Sequence, residues 1–251
     1  MADLATQALA VLLLSLRIAP VLAFAAPFTL LRVPASIRLL LAVSLAAWLA
    51  AGNPSTTWRG PFLAAGLVAT AVGELALGVT LALALQLAFA ALLTAGRAVD
   101  IQAGFGLAAL VDPATRAQLP LVGTVFAYAA AAIFFGLGGP TDLLAIWQSS
   151  IERVPLGAAA IGRDPASMIG FCGAVFVLAL GIAGLLLLIL LLLDLAIAWL
   201  SRTLPQMNVL VLGFQVKAVA TLAALPLSIS LASALLARLM RRALDTMPLL
   251  M

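Results

Sequence analysis

The sequence predicts an all-α integral membrane protein with long, kinked helices. Of the 251 residues, 65% are hydrophobic and only 9% are charged, whereas an ordinary soluble domain has about 25% charged residues. Five or six apolar stretches also reach the roughly 18 to 20 residues that cross the hydrocarbon core of a bilayer as a helix. We therefore expect one membrane-embedded domain covering residues 1–251.

The first apolar stretch, residues 4–31, is predicted to be a broken helix. Pro20 and Pro27 each remove a backbone donor and favour a kink. Arg17 interrupts the hydrophobic run, which does not fit a cleaved signal peptide. Residues 1–30 are accordingly expected to belong to the mature protein.

The next two stretches differ in length. Residues 36–51 are short for a full crossing. Residues 62–97 form a helix of roughly 50 Å if unbroken, which exceeds the hydrocarbon core of about 30 Å. That helix must tilt, bend or project from the membrane. Residues 100–120 follow it as a glycine-rich, partly polar segment.

The second half of the chain shows the same mixture. A fourth stretch, residues 121–137, ends at a Gly-Gly-Pro turn, and residues 141–165 are expected to form an amphipathic or loop region. Trp147 in that region suits a membrane interface. The fifth stretch, residues 168–200, is again too long for one crossing.

A polar link, residues 201–208, leads to the sixth stretch, residues 209–239, with Pro226 inside it. Three arginines follow within a few residues: Arg238, Arg241 and Arg242. Because basic residues favour the cytoplasmic side, this cluster favours a cytoplasmic C-terminal end.

The ionisable residues exclude several function classes. The net charge of +4 comes from twelve Arg and one Lys without a basic run, so no nucleic-acid partner is expected. The chain has no His and a single Cys172, which leaves no plausible metal site, no His-based catalytic triad and no expected cofactor. Gly104-Phe105-Gly106 lacks the rest of a nucleotide-binding motif. The sequence offers no catalytic residue.

A few charged residues within the apolar stretches require partners. A carboxylate such as Glu74 costs about 2.5–3.5 kcal/mol inside a membrane. It indicates either an ion or proton site or a hydrogen bond that fixes packing, and we favour the second. Asp194 and Arg202 lie about two helical turns apart and are able to share a face. Antiparallel folding of the last two stretches would bring Lys217 near Asp194 or the carbonyls of the intervening turn.

The most specific motif is the link between the last two stretches. It reads Ser201-Arg202-Thr203-Leu204-Pro205-Gln206-Met207-Asn208-Val209, followed by Gly213-Phe214 and Lys217. This run resembles the signature of the FliR family of type III protein-export gates. Further features similar to the family pattern occur in the same order along nearly the whole chain: Arg17 and Pro20, Val33-Pro34 with Arg38, Glu74 and Gly78, Gly96, Gln102 with Gly104-Phe105, Asp112-Pro113, Gly138-Gly139, Ser149-Ser150 and Pro155.

The resemblance implies a division of the chain and a set of partners. Residues 1–167 would resemble the partner FliP, residues 168–240 would form a hairpin like the small partner FliQ, and residues 241–251 would be a tail. One copy of the chain would assemble with several FliP-like and FliQ-like subunits and an FlhB-like switch protein in the bacterial inner membrane. The assembly would pass unfolded export substrates. The charged and polar residues expected to fix it are Glu74, Asp194, Arg202, Gln206, Asn208 and Lys217.

In the family that the chain resembles, the segment matching residues 104–120 lies in the channel and helps to plug it. The residues expected to form this plug are Gly104, Phe105, Gly106, Leu107 and Leu110. Glycines would supply flexibility, and the apolar side chains would obstruct a narrow lumen, which gates by excluding water.

Alternatives to a flagellar gate subunit remain. Gly139-Pro140 departs from many flagellar members, which have a His after the Gly, so an injectisome gate subunit is the first alternative. The Pro205–Val209 run favours the flagellar branch. A secondary transporter using Glu74 and Asp194 is a further alternative, although such transporters have repeated halves and no convincing repeat is present.

Overall fold

The computed structural model describes residues 2–53, 64–105, 120–159, 165–203 and 209–250. Within these ranges the chain is helical and has no strand, so the predicted all-α membrane fold class is confirmed. The helices are α1 (Ala2–Phe24), α2 (Ala26–Leu30), α3 (Ala35–Gly52), α4 (Ala64–Ala103), α5 (Leu121–Gly136), α6 (Gly139–Arg153), α7 (Pro165–Thr203) and α8 (Val209–Thr246), followed by a 3-10 turn (Met247–Leu249).

The predicted break in the first apolar stretch is present, and of the two prolines it is Pro27 that lies beside it. Helix α1 continues through Pro20 and stops at Ala25, whose backbone is extended. Pro27 lies in the first turn of α2 and has no N–H to donate to Ala23 O. The Arg38 guanidinium donates to that carbonyl instead. The break is therefore stabilised by a side chain from α3.

Helix α4 is one unbroken helix of 40 residues, about 60 Å long at 1.5 Å per residue. It continues six residues beyond the predicted end at Arg97, so Asp100 and Gln102 are helical and do not belong to a loop. The excess length over a bilayer is thus larger than the sequence suggested.

Helices α5 and α6 form a bent pair with an angle of 68°. The bend falls at Gly138, whose φ of +83° is a backbone conformation that glycine adopts readily. Of the region expected to be amphipathic or a loop, residues 141–153 are helical as part of α6. The Trp147 side chain is buried by this chain, and its expected position at a membrane interface stays a prediction.

The chain divides into two compact units. Unit 1 comprises Met1–Leu87, Phe134–Gly173 and Met240–Met251. Its core includes Leu14 and Ile18 of α1, and α3 packs on α1 through small side chains such as Ala42 and Ala46. Three aromatic rings pack edge to face, with centroids 5.3–6.2 Å apart: Phe28, Phe134 and Phe135.

Unit 2 comprises Ala88–Ile133 and Ala174–Leu239. Here α7 and α8 pack as an antiparallel hairpin: Ser228 Oγ donates to Ile182 O at 3.4 Å, and Gly213 faces Ile197 near the other end. These units do not test the predicted division of the chain into a FliP-like part, residues 1–167, and a FliQ-like hairpin, residues 168–240. That division stays a prediction.

Five of the described helices are long and apolar enough to span a membrane, or six spans arise if the bent pair α5–α6 counts as one. The chain covers these helices unevenly. Half of the most apolar part of α1 and of α4 is buried, but only 17% of that of α3 and 28% of that of α8. Most of the apolar surface of α3 and α8 thus faces outward from this chain.

Candidate functional site

The interior of unit 1 holds an ion pair between Arg17 of α1 and Glu74 of α4. Both Nη2 and Nε of Arg17 lie 2.7 Å from Glu74 Oε2, and both side chains are fully buried. A lone carboxylate in such surroundings is costly, whereas a paired and hydrogen-bonded one is tolerated. Glu74 therefore has the polar partner that its position requires, and that partner belongs to the same chain.

The remaining donors of Arg17 bind the C-terminal end of α6. Nη1 donates to Ser150 O at 3.0 Å and to Ser150 Oγ at 3.1 Å, and Nη2 donates to Val154 O at 3.0 Å. Together with the bond from Nε to Glu74, they give every nitrogen of the guanidinium at least one hydrogen bond. Gly157 N–H donates to Glu74 Oε1 at 3.2 Å. The pair thus joins α1, α4 and the end of α6, and it supplies donors to carbonyls that are buried from water.

Two glycines beside Glu74 allow α4 to approach its neighbours closely. A Cβ on Gly78 would stand 2.7 Å from Leu16 O. That carbonyl lacks its helical partner because Pro20 has no N–H. A Cβ on Gly73 would stand 2.6 Å from Ala159 O. Any side chain at either position would therefore force the backbones apart.

This geometry limits what the Arg17–Glu74 pair is able to do chemically. Every guanidinium nitrogen of Arg17 donates a hydrogen bond, and both carboxylate oxygens of Glu74 accept one. Both side chains are fully buried, so neither is accessible to an ion or a substrate in this structure. The arrangement is suited to holding three segments in a fixed register.

Unit 2 contains a second ionic contact of similar construction, between Lys217 of α8 and Asp194 of α7. Lys217 Nζ also lies 3.4 Å from Gln102 O, one of the last carbonyls of α4, where a cation is favoured by the helix dipole. The expected pairing of Lys217 with Asp194 is confirmed. Unlike the pair in unit 1, this one is accessible: the Lys217 side chain is 19% exposed and that of Asp194 is 42% exposed.

The other polar residues of the predicted assembly set are not brought together here. Arg202 is exposed in the last turn of α7, and Asp194 pairs with Lys217 rather than with Arg202. Gln206 and Asn208 lie outside the described residues. A role of these residues in assembly stays a prediction.

Of the predicted plug residues, Gly104 and Phe105 are described, whereas Gly106, Leu107 and Leu110 lie outside the described part of the chain. Gly104 has a φ of +88° and donates its N–H to Ile101 O, while Phe105 N–H donates to Asp100 O. These two bonds form a Schellman cap at the C-terminus of α4. Gly104 thus ends a helix, and a Cβ on it would stand 2.7 Å from the ring of Phe214.

Sequence reasoning missed the partners of Glu74. It treated Arg17 as an interruption of an apolar stretch, although two opposite charges in separate apolar stretches are themselves a signal of pairing. Ser150, Val154 and Gly157 contribute mainly backbone groups, which no residue pattern identifies. Only the tertiary fold brings them to the pair.

The described residues hold no group of three or more His, Cys, Asp or Glu side chains that could bind a metal ion. The carboxylates of Glu74 and Asp194 are each paired with a basic side chain. Among the described residues, these two carboxylates therefore belong to ion pairs.

Comparison with known proteins adds a family match. The family model described as "Bacterial export proteins, family 1" matches residues 8–243. The chain is 29% identical over 171 residues to the flagellar biosynthetic protein FliR of Escherichia coli (strain K12), an alignment that covers 68% of this chain and 61% of that protein. It is 32% identical over 162 residues to the FliR of Aquifex aeolicus (strain VF5), covering 64% and 62% of the two chains.

A relative with a different title also matches. The chain is 28% identical over 180 residues to the surface presentation of antigens protein SpaR of Salmonella typhimurium, which covers 71% of this chain and 66% of SpaR. The chain thus spans less than two thirds of the length of each of these relatives.

Proposed function

This chain belongs to family 1 of the bacterial export proteins, and from that premise we propose that it is a non-enzymatic subunit of a type III protein-export gate. In this role it forms part of the channel through which unfolded substrates leave the cell. The family match over residues 8–243 and the similarity to FliR and SpaR proteins support the proposal.

The structural observation that carries the proposal is the apolar surface that the chain leaves uncovered. Helices α7 and α8 have 39 and 38 residues, about 58 Å each, whereas a hydrocarbon core is about 30 Å thick. Only 33% and 28% of their most apolar parts are buried by this chain. Apolar surface that extends beyond the lipid needs protein neighbours, as a subunit of a larger assembly would have.

The main rival, an ion-coupled transporter, finds less support. Such a protein would use carboxylates in the membrane to bind its ion. Glu74 is occupied by Arg17 and the Gly157 N–H, and Asp194 by Lys217. The two carboxylates that a transporter would use are thus already neutralised within the chain.

We assign the chain the partners that its family resemblance implies. One copy joins several FliP-like and FliQ-like subunits and an FlhB-like switch protein in the bacterial inner membrane. Residues 168–240 contribute the FliQ-like hairpin, and residues 1–167 the FliP-like part. The antiparallel packing of α7 against α8 supports the hairpin.

Residues 104–120 serve in this proposal as the plug of the closed channel, with Phe105, Leu107 and Leu110 as its apolar side chains. Gly104 and Gly106 complete the predicted set. The helix cap at Gly104 supports a defined starting point for the plug, because it fixes where α4 ends.

The flagellar branch is our first choice, and the injectisome is the alternative. The similarity to FliR proteins and the Pro205–Val209 run support the flagellar branch, while the similarity to SpaR supports the alternative.

Deleting the gene for this chain distinguishes the flagellar system from the injectisome. We expect loss of flagellar filaments and of swimming, restored by the wild-type chain. Normal filaments with loss of effector secretion would assign the chain to an injectisome, and normal secretion by both systems would contradict the proposed function.

A further inference from the structure

Asp100 is a buried acid that the contacts described above do not explain. It lies one turn before the end of α4, its side chain is 6% exposed, and none of the described basic residues forms an ion pair with it. Glu74, the other buried acid of the described residues, has Arg17. A carboxylate kept in an apolar site without a cation needs a hydrogen-bonding role that repays its burial.

The N-terminus of α5 supplies that role. The helix is preceded by Pro120, which has no side-chain acceptor to cap the free N–H groups of the first turn. Thr124 N–H donates to Pro120 O at 2.8 Å. Val122 N–H donates to Asp100 Oδ1 at 3.1 Å. Asp100 of α4 is therefore the N-terminal cap of a different helix.

The main chain of the same residue holds the end of its own helix. Asp100 O accepts the N–H of Phe105 at 2.9 Å, as part of the cap that ends α4. One residue thus binds Phe105 through its carbonyl and Val122 through its carboxylate. These partners lie just before and just after residues 106–119.

Close packing of α4 on α5 keeps this contact in register. A Cβ on Gly96 would overlap the Cα of Gly123, and a Cβ on Gly123 would stand 2.9 Å from Leu93 O. The two helices therefore touch through their backbones one turn away from Asp100. One hydrogen bond from the carboxylate is then enough to fix the start of α5. The second carboxylate oxygen, Oδ2, has no hydrogen-bond partner among the described residues.

We propose that Asp100 is a positioning residue, a clasp whose carbonyl and carboxylate together fix the separation between the end of α4 and the start of α5. The clasp works as a hydrogen-bond acceptor and does not require the negative charge. The clasp itself does not depend on the proposed function. Its consequence does, because the clasp would fix the two ends of the predicted plug, at the end of α4 and the start of α5.

The test compares two substitutions of similar shape. Asp100→Asn keeps an oxygen that accepts the Val122 N–H, whereas Asp100→Leu removes the acceptor but suits an apolar site, so that the protein still folds. Asp245→Leu, at an exposed acid, is the control. Spin labels are placed on cysteines at the exposed positions Ala98 of α4 and Tyr128 of α5 in the full chain with Cys172 replaced by Ser, and their distance distribution is measured.

We expect the same narrow distribution for the unsubstituted Asp100 background, Asp100→Asn and Asp245→Leu, and a broader or shifted one for Asp100→Leu. An unchanged distribution in Asp100→Leu would overturn the clasp, and so would an Asp100→Asn distribution as broad as that of Asp100→Leu. Ion leak through the assembled gate is measured in parallel. A broadened distribution with higher leak supports both the clasp and the plug. A broadened distribution without added leak supports the clasp and counts against the plug.

Discussion

At the scale of single residues, three basic side chains of this chain bind carbonyls at helix C-termini. Arg17 donates to the last carbonyls of α6, Lys217 to one at the end of α4, and Arg38 to one at the end of α1. Carbonyls at a helix end have no internal partner, and an apolar environment has no water to replace it. Arg17, Lys217 and Arg38 therefore each have a specific structural use.

The Arg17–Glu74 pair yields a test by substitution. Removing one partner of a buried pair leaves an uncompensated charge, so Arg17→Met and Glu74→Met should each lower the free energy of unfolding by about 3–5 kcal/mol. The double substitution should cost less than the sum of the two, with a coupling energy of about 2 kcal/mol. Denaturant unfolding of the purified chain in detergent measures all three values.

Glu152→Met provides the control for this cycle, because Glu152 is an acid on the same helix as Ser150 but is exposed. It should change the free energy of unfolding by less than about 0.5 kcal/mol. Additive costs of the two single substitutions would show that Arg17 and Glu74 do not act as a pair.

At the scale of helices, the sequence predicts lengths better than ends. Long apolar runs made α4 and α7 recognisable, since composition alone reports a stretch that needs an apolar environment. Which of the two prolines would accompany the break was not predictable, because helix α1 continues through Pro20 and stops at Ala25, where Pro27 and Arg38 act together. Such ends depend on contacts between distant residues.

The same limit applies to Trp147 and Gly104. A tryptophan beside charged residues is typical of a membrane interface, yet Trp147 is buried in unit 1. A glycine in a glycine-rich segment suggested flexibility, yet Gly104 and Phe105 end α4 with two hydrogen bonds. In both cases the local sequence permits two structural interpretations, and the tertiary contacts determine which one is adopted.

The crossing of α1 and α4 provides a test at this scale. Gly78→Ala places a Cβ 2.6–2.7 Å from the carbonyl oxygens of Leu16 and Arg17, so the helices must separate and the Arg17–Glu74 contact must lengthen. We expect a loss of about 1–3 kcal/mol in the free energy of unfolding, as for overpacked cores. Gly173→Ala in α7 is the matched control, since none of the described residues has an atom within 4 Å of a Cβ at that position.

The control, Gly173→Ala, should leave the free energy of unfolding unchanged or raise it slightly, because alanine has a higher helix propensity than glycine. Equal effects of the two substitutions in the isolated chain would mean that the close crossing at Gly78 contributes nothing. Thermal unfolding in detergent compares the two variants under the same conditions.

At the scale of the whole molecule, the chain buries the Arg17–Glu74 pair and Asp100 and leaves much of its apolar surface outward. The most apolar parts of α3, α7 and α8 are 17%, 33% and 28% buried, although α7 and α8 exceed the thickness of a bilayer. Membership in a family of bacterial export proteins gives this surface a reason. We propose that neighbouring gate subunits cover it and that the internal ion pairs keep the helices in register for them.

The composition of the assembled gate tests this account most directly. The chain, tagged at its C-terminus, is purified from membranes with its FliP-like and FliQ-like partners, and native mass spectrometry counts the copies of each subunit. We predict one copy of this chain with several copies of each partner, and loss of those partners when the exposed faces of α3 and α8 are made polar. A stable monomer that binds neither partner, with its apolar faces covered by lipid alone, would contradict the account.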